Sequence, residues 1–132
     1  MEAKDTSDEK IYAIKVIRAV PRYTSSAKIE ANVIKTLNKA DPDHQSHIVR
    51  LHDTFTSHNN FCLVFEKLGK NLYEVIKESG YKGFPMRIVK EFTRQIFKAV
   101  GFMHGWRLTH TDLKLENILL VHDEWQFDEE RQ

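Results

Sequence analysis

The chain has 132 residues, 41% of them hydrophobic, enough for one ordinary globular core or a piece of a larger one. Twenty Lys and Arg against nineteen Asp and Glu leave a formal charge of +1, which gives no ground for a nucleic-acid or membrane-surface partner. No apolar run approaches the roughly 18 residues of a membrane span, and the opening "MEAKDTSDEK" lacks the apolar centre of a secretory signal.

The first ten residues are polar and charged. "IYAIKVI", Ile11 to Ile17, then mixes β-branched and aromatic residues as a strand does, with Ile11, Ala13 and Lys15 on one face and Tyr12, Ile14 and Val16 on the other. After Pro21, Ile29, Val33, Ile34 and Leu37 recur at helical spacing behind capping hydroxyls, which predicts a helix from about Ser25 to Asn38. Asp41-Pro42 breaks it. Two strands, His47 to Phe55 and Phe61 to Leu68, flank the turn-like "TSHNN" as a hairpin. The only cysteine, Cys62, lies inside the second strand and reads as a buried structural thiol of a reducing compartment.

From Gly69 the pattern turns helical. Asn71 and Glu74 have the spacing of a capping box opening a short helix that Gly80 closes. A longer helix begins at Pro85 and runs to about His104, where Ile88, Phe92, Ile96, Val100 and Met103 form an apolar stripe expected to pack in a core. The order strand, helix, two strands, then mostly helix predicts an α+β fold with a hinge near Glu66 to Leu72.

The densest chemistry is "LTHTDLKLENILL". Asp112 stands five residues before Asn117, and both precede "ILLV", which reads as a short buried strand. In such a loop a carboxylate can accept a proton or orient a hydroxyl, and an amide oxygen suits a hard cation. Lys114 adds positive charge where a phosphoryl group would transfer. His44, His47, His52 and His58 invite a zinc reading, but no cysteine pair or convergent ligand spacing supports it. Trp106 and Trp125 lack the interleaved basic residues of a base-stacking surface.

These residues resemble the catalytic loop of the protein kinase superfamily, His-Arg-Asp-Leu-x-x-x-Asn, through His110, Asp112, Leu113 and Asn117. "YAIK" is similar to the family's Val-Ala-Ile-Lys strand, and Glu30 lies on the next helix. Within the superfamily, Thr111 in place of arginine, "HTDLKLENIL", "FCLVFEKLG", "ESGY" and the short interval from Lys15 to Glu30 look like the LAMMER family of dual-specificity kinases.

The resemblance implies a truncated protein-kinase-like fold: most of the N-lobe sheet with helix C over about residues 1–65, a hinge at 66–71, and the first helices and catalytic loop of the C-lobe over 72–132. It implies ATP and Mg²⁺ as cofactors, with Asp112 orienting the acceptor hydroxyl, Lys114 stabilising transferred charge and Asn117 holding Mg²⁺. Lys15 would hold the α- and β-phosphates and Glu30 would fix Lys15. The Glu66 carbonyl and the Leu68 amide and carbonyl would read the adenine edge beside the gatekeeper Phe65, and Ala13, Leu119 and Leu72 would sandwich the ring. His110 would pack structurally. Thr111 removes a cation that docks phosphorylated activation loops, and Leu115, where the pattern has proline, slackens the loop.

The implied partners are protein substrates, including arginine/serine-rich splicing factors, with no direct nucleic acid and no membrane. The expected location is intracellular, nuclear or cytoplasmic, with the nucleus implied by the family alone. The resemblance runs from Tyr12 to about Val121, over the first part of a kinase domain. No glycine precedes Tyr12 to form a phosphate-covering loop, and neither Asp123 nor Asp128 is followed by Phe-Gly; "HDEWQFDEERQ" looks like the start of an inserted hairpin. The isolated chain is therefore expected to have little phosphotransferase activity and poor solubility. The competing reading is a non-catalytic remnant that acts as a binding module.

Overall fold

β-branched and aromatic residues suit Ile11–Val16 (β2) to a strand, and in the computed structural model, which describes residues 1–122, Tyr12, Ala13 and Ile14, drawn from both of its faces, are half-buried. Its sheet has the order β1-β2-β4-β3 and every neighbour is antiparallel, with β1 at Glu2–Lys4, β3 at Leu51–Ser57 and β4 at Asn60–Glu66. β1 corrects the reading of the first ten residues as plain polar chain. Its three residues pair with Lys4 opposite Ile11, and main-chain bonding rather than hydrophobic pattern makes it a strand.

β3 and β4 join through His58 and Asn59, both at positive φ (47° and 63°), the geometry of a two-residue hairpin turn that matches strand twist. β3 begins at Leu51 rather than His47, because Asn38, Asp41 and Arg50 engage the preceding segment in other hydrogen bonds.

Helix α1, Pro21–Ala40, begins four residues before the expected Ser25, since Pro21 at the first helical position needs no amide partner. It ends where Asp41, held before Pro42, leaves helical geometry at φ −129°. Ala27 and Ala31 let the helix approach Leu51, Phe61 and Leu63, with Ile17, Ile34 and Phe65 around them, so one helix covers one face of the sheet. Leu63 is fully buried. Ile29 departs from its expected place: it is 66% exposed, because the two alanines set the contact face.

The chain divides into two compact units, the first Met1–Lys67 and the second beginning at Leu68. In the second, α2 (Leu72–Glu78) carries the full capping box: Glu74 N–H donates to Asn71 Oδ1 and Asn71 N–H to Glu74 Oε2, each at 2.9 Å. Gly80, at φ 67°, turns the chain as α2 ends. α3 spans Met86–Gly105, and Phe84 meets Phe92 edge to face at 5.3 Å. The expectation of a buried stripe on α3 is corrected: Met103 alone is buried, while Ile88, Phe92, Ile96 and Val100 are half-buried. On other faces Met86 and Phe97 are 68% and 72% exposed, since the described residues of this unit supply too few layers to enclose a twenty-residue helix.

No described helix is long and apolar enough to cross a membrane. Cys62 is a buried free thiol.

Candidate functional site

In the first unit Lys15 and Glu30 are brought together. The Lys15 ammonium donates to Glu30 Oε1 at 2.8 Å and Oε2 at 3.1 Å, a bidentate pair joining β2 to α1. Both side chains are about half exposed, so the pair fixes where the ammonium sits more than it stabilises the fold. The β2–β4 register sets Ala13 opposite Phe65 and Tyr12 opposite Glu66. Ala13, Phe65 and Glu66 are half-buried.

At the turn into β3 the polar core of this unit is densest. Asp41, Ser46 and Arg50 are all buried. Asp41 accepts from the amides of Gln45 (2.8 Å) and Ser46 (2.9 Å) and from the Ser46 hydroxyl, and pairs with Arg50 at 3.8 Å. Burial pushes the Asp41 pKa up, but the Ser46 hydroxyl and amide, the Gln45 amide and the Arg50 guanidinium outweigh it and hold it at about 2. Arg50 donates to His44 Nδ1 at 2.7 Å, to the Asn38 carbonyl at 2.8 Å and to the Asp41 carbonyl. In the sequence Asp41, ahead of Pro42, reads only as a helix breaker. The signal within reach was an aspartate followed at four and five residues by Gln45 and Ser46, whose amides can turn back onto it.

In the second unit, Asp112, Lys114 and Asn117 converge. The Asn117 amide donates to the Asp112 carbonyl at 2.8 Å and to its Oδ2 at 3.3 Å, and Lys114 lies 3.3 Å from the same Oδ2. A single 3-10 turn, Leu115–Asn117, makes this possible, so leucine at 115 is compatible with an ordered turn. His110 Nδ1 accepts from the Asp112 amide at 3.2 Å, which gives the ring a structural use. Thr111 between them sits at φ 68°, a left-handed conformation that costs a β-branched residue roughly 1–3 kcal/mol and marks a constrained loop.

The reading of "ILLV" as a buried strand is corrected. It makes one isolated bridge, Leu119 to Asn71, with bonds from Gly69 N–H to Leu120 O (2.7 Å) and from Leu72 N–H to Ile118 O (2.9 Å). Leu119 is 45% exposed, because a single bridge on one side gives it no second layer. Leu68, the first residue of this unit, is half-buried. Leu72 is 3% exposed beneath the capping box, so its side chain has little surface left for an adenine ring.

Among the described residues no group of three or more His, Cys, Asp or Glu is arranged to hold a metal ion; His44 is engaged with Arg50 and His58 with Ser57. Asp123, Asp128, Trp125 and the expected hairpin lie outside the described residues.

The chemistry of the donors fits ATP and Mg²⁺ in part. Lys15 is a cation fixed by a carboxylate, suited to phosphate oxygens, and Asn117 and Asp112 offer hard oxygens of the kind Mg²⁺ takes together with phosphates.

A model of the protein kinase domain matches residues 1–126. The serine/threonine-protein kinase AFC1 of Arabidopsis thaliana is 42% identical over 125 residues, which is 95% of this chain and 27% of the relative. Human dual specificity protein kinase CLK2 is 38% identical over 114 residues, 86% of this chain and 23% of the relative. A crystallised kinase domain superposes with a TM-score of 0.86 at 40% identity, covering 92% of this chain and 35% of that one. The chain thus spans less than a third of the length of these curated relatives. With Lys15 joined to Glu30 between the four-stranded antiparallel sheet and α1 of the first unit, and Asp112 joined to Asn117 within the second, the chain belongs to the protein kinase superfamily and, within it, to the LAMMER family.

Proposed function

We propose that this chain carries part of the machinery of an ATP-dependent protein kinase that phosphorylates serine and threonine hydroxyls, with dual-specificity reach to tyrosine. The observation that carries the reading is the pair of preformed constellations, Lys15 with Glu30 and Asp112 with Lys114 and Asn117, each within its own unit.

Lys15 holds the α- and β-phosphate oxygens, and Glu30 keeps its ammonium aimed by two hydrogen bonds. Asp112 orients the acceptor hydroxyl and takes its proton. Lys114, already against Asp112, compensates charge at the oxygens of the transferring group. Asn117 presents an amide oxygen to Mg²⁺ while its nitrogen secures Asp112. Bound Mg-ATP supplies the electrophilic phosphoryl group. Ala13, Phe65 and Glu66 of the first unit supply base contacts in this reading, and for Leu68 and Leu119 of the second that role rests on the LAMMER resemblance alone.

The proposed substrates are arginine/serine-rich proteins, and the proposed location is intracellular, nuclear or cytoplasmic; the substrates and the nucleus follow from the LAMMER resemblance alone.

The test is transfer of labelled γ-phosphate from ATP to an Arg-Ser repeat peptide by the native protein, compared with Asp112→Asn. Loss of a positioned base lowers turnover by roughly 10²–10⁴-fold. Equal turnover by the variant refutes Asp112 as the base. Absence of ATP binding by the native protein refutes the kinase reading and leaves the non-catalytic one.

A further inference from the structure

Glu66 closes β4 with Tyr12 opposite it on β2, and on its β3 side its main chain bonds Arg50, one position before β3. In an antiparallel pair, hydrogen-bonded partners exchange two main-chain bonds, and such pairs alternate along the ladder. From the hairpin turn alternate partners run through Ser57 with Asn60, Phe55 with Cys62 and Asp53 with Val64; beyond the irregularity between Leu51 and Asp53 the register ends at Leu51 with Phe65, and a main-chain bond joins Glu66 to Arg50 just past it.

Only half of that last exchange is made in the ordinary way. Glu66 N–H donates to the Arg50 carbonyl at 3.0 Å. The return bond goes elsewhere: Arg50 N–H donates to Glu66 Oε1 at 2.8 Å, so the side chain takes the bond that a regular ladder gives to the Glu66 carbonyl.

The donor is anchored. Arg50 is 8% exposed, and its guanidinium is held by His44, Asn38 and Asp41, so its backbone is not free to drift. The carboxylate of Glu66 therefore satisfies a fixed, part-buried amide that would otherwise claim the Glu66 carbonyl.

We infer that the Glu66 side chain is a positioning and specificity group: by capping the Arg50 amide it keeps its own main-chain carbonyl out of the sheet and available to accept a hydrogen bond from the exocyclic amino group of a 6-aminopurine nucleotide. The inference rests on the reading, given above, that Glu66 lies at the base-binding segment.

The test compares affinities of the full native chain for ATP and for purine riboside 5′-triphosphate, which lacks the 6-amino group. One neutral hydrogen bond makes the wild type prefer ATP by about tenfold. Glu66→Gln keeps an acceptor oxygen of the same reach and keeps the preference. Glu66→Ala binds both nucleotides equally, because Arg50 N–H recaptures the carbonyl. Glu66→Met, which keeps side-chain length without a strong acceptor, gives the same result should the alanine variant fail to fold. An Ala or Met variant that retains the full preference overturns the inference and leaves the kinase reading standing. A wild type that binds ATP without preferring it overturns the base-binding role of the Glu66 carbonyl, and the inference with it. Lack of any nucleotide binding overturns both readings.

Discussion

Replacing Asp41 with asparagine removes one charge from a buried cluster while preserving its shape. Oδ1 still accepts from the Gln45 amide, but the group at the Oδ2 position becomes a donor facing the Ser46 amide and hydroxyl, and Arg50 loses its only buried counter-ion in the described residues. An orphaned buried amide costs about 1–3 kcal/mol, and breaking a buried ion pair from one side about 3–5 kcal/mol. Because the Arg50 guanidinium keeps its bonds to the Asn38 and Asp41 carbonyls and to His44, the expected loss at pH 7 lies near the lower figure, about 2–3 kcal/mol.

The same residue sets a pH signature. Its folded pKa, about 2, lies below its ordinary 3.8, so its contribution is complete above pH 4 and is lost as pH falls through 2. At about 1.36 kcal/mol per pKa unit the contribution is at most about 2 kcal/mol. Asp5 and Asp8 are also held low, by Ser7 and by the Lys10 amide with Tyr12, but these groups are present in both proteins and cancel in the comparison. Urea unfolding followed by circular dichroism at pH 7, 4 and 2 reads both effects. The wild type should lose up to about 2 kcal/mol more than Asp41→Asn between pH 4 and pH 2. Equal acid sensitivity in the two proteins would refute the reasoning.

Two further perturbations test the packing of each unit. Leu63→Ala empties the fully buried centre beneath α1 and should cost about 2–5 kcal/mol, read as a shift of the urea midpoint; a cost under about 1 kcal/mol would mean that the sheet and helix are not packed through Leu63. Asn71→Ala removes the acceptor for the Glu74 amide and should destabilise the second unit by about 1 kcal/mol, read as faster amide exchange over Leu72–Glu78, and unchanged exchange there would remove the cap's role.

Local patterns carried much of the reading. The Asn71 and Glu74 spacing is satisfied within three residues, so the capping box needs no tertiary partner to be recognised. The same holds for Asp112 and Asn117, five residues apart across one 3-10 turn. Apolar periodicity placed α1, α3 and the strand pair, but misjudged faces. Ile29 satisfies a helical pattern and is nevertheless mostly exposed, because a pattern gives the spacing of apolar residues without saying which neighbours exist to cover them.

The chain by itself determined which residue types stand at which intervals, and hence the kinase resemblance, the candidate base Asp112, the Lys15 strand and the capping box that opens α2. Tertiary structure decided what long-range hydrogen bonds decide. β1 is a strand only because β2 offers it a partner. Lys15 reaches Glu30 only because α1 crosses the sheet at Ala27 and Ala31. The diversion of the Arg50 amide onto the Glu66 carboxylate joins residues sixteen apart through a register that no local propensity encodes. Side-chain periodicity is a property of a few bonds of backbone, whereas register and buried polar pairing depend on which distant groups the folded chain brings within about 3 Å of one another.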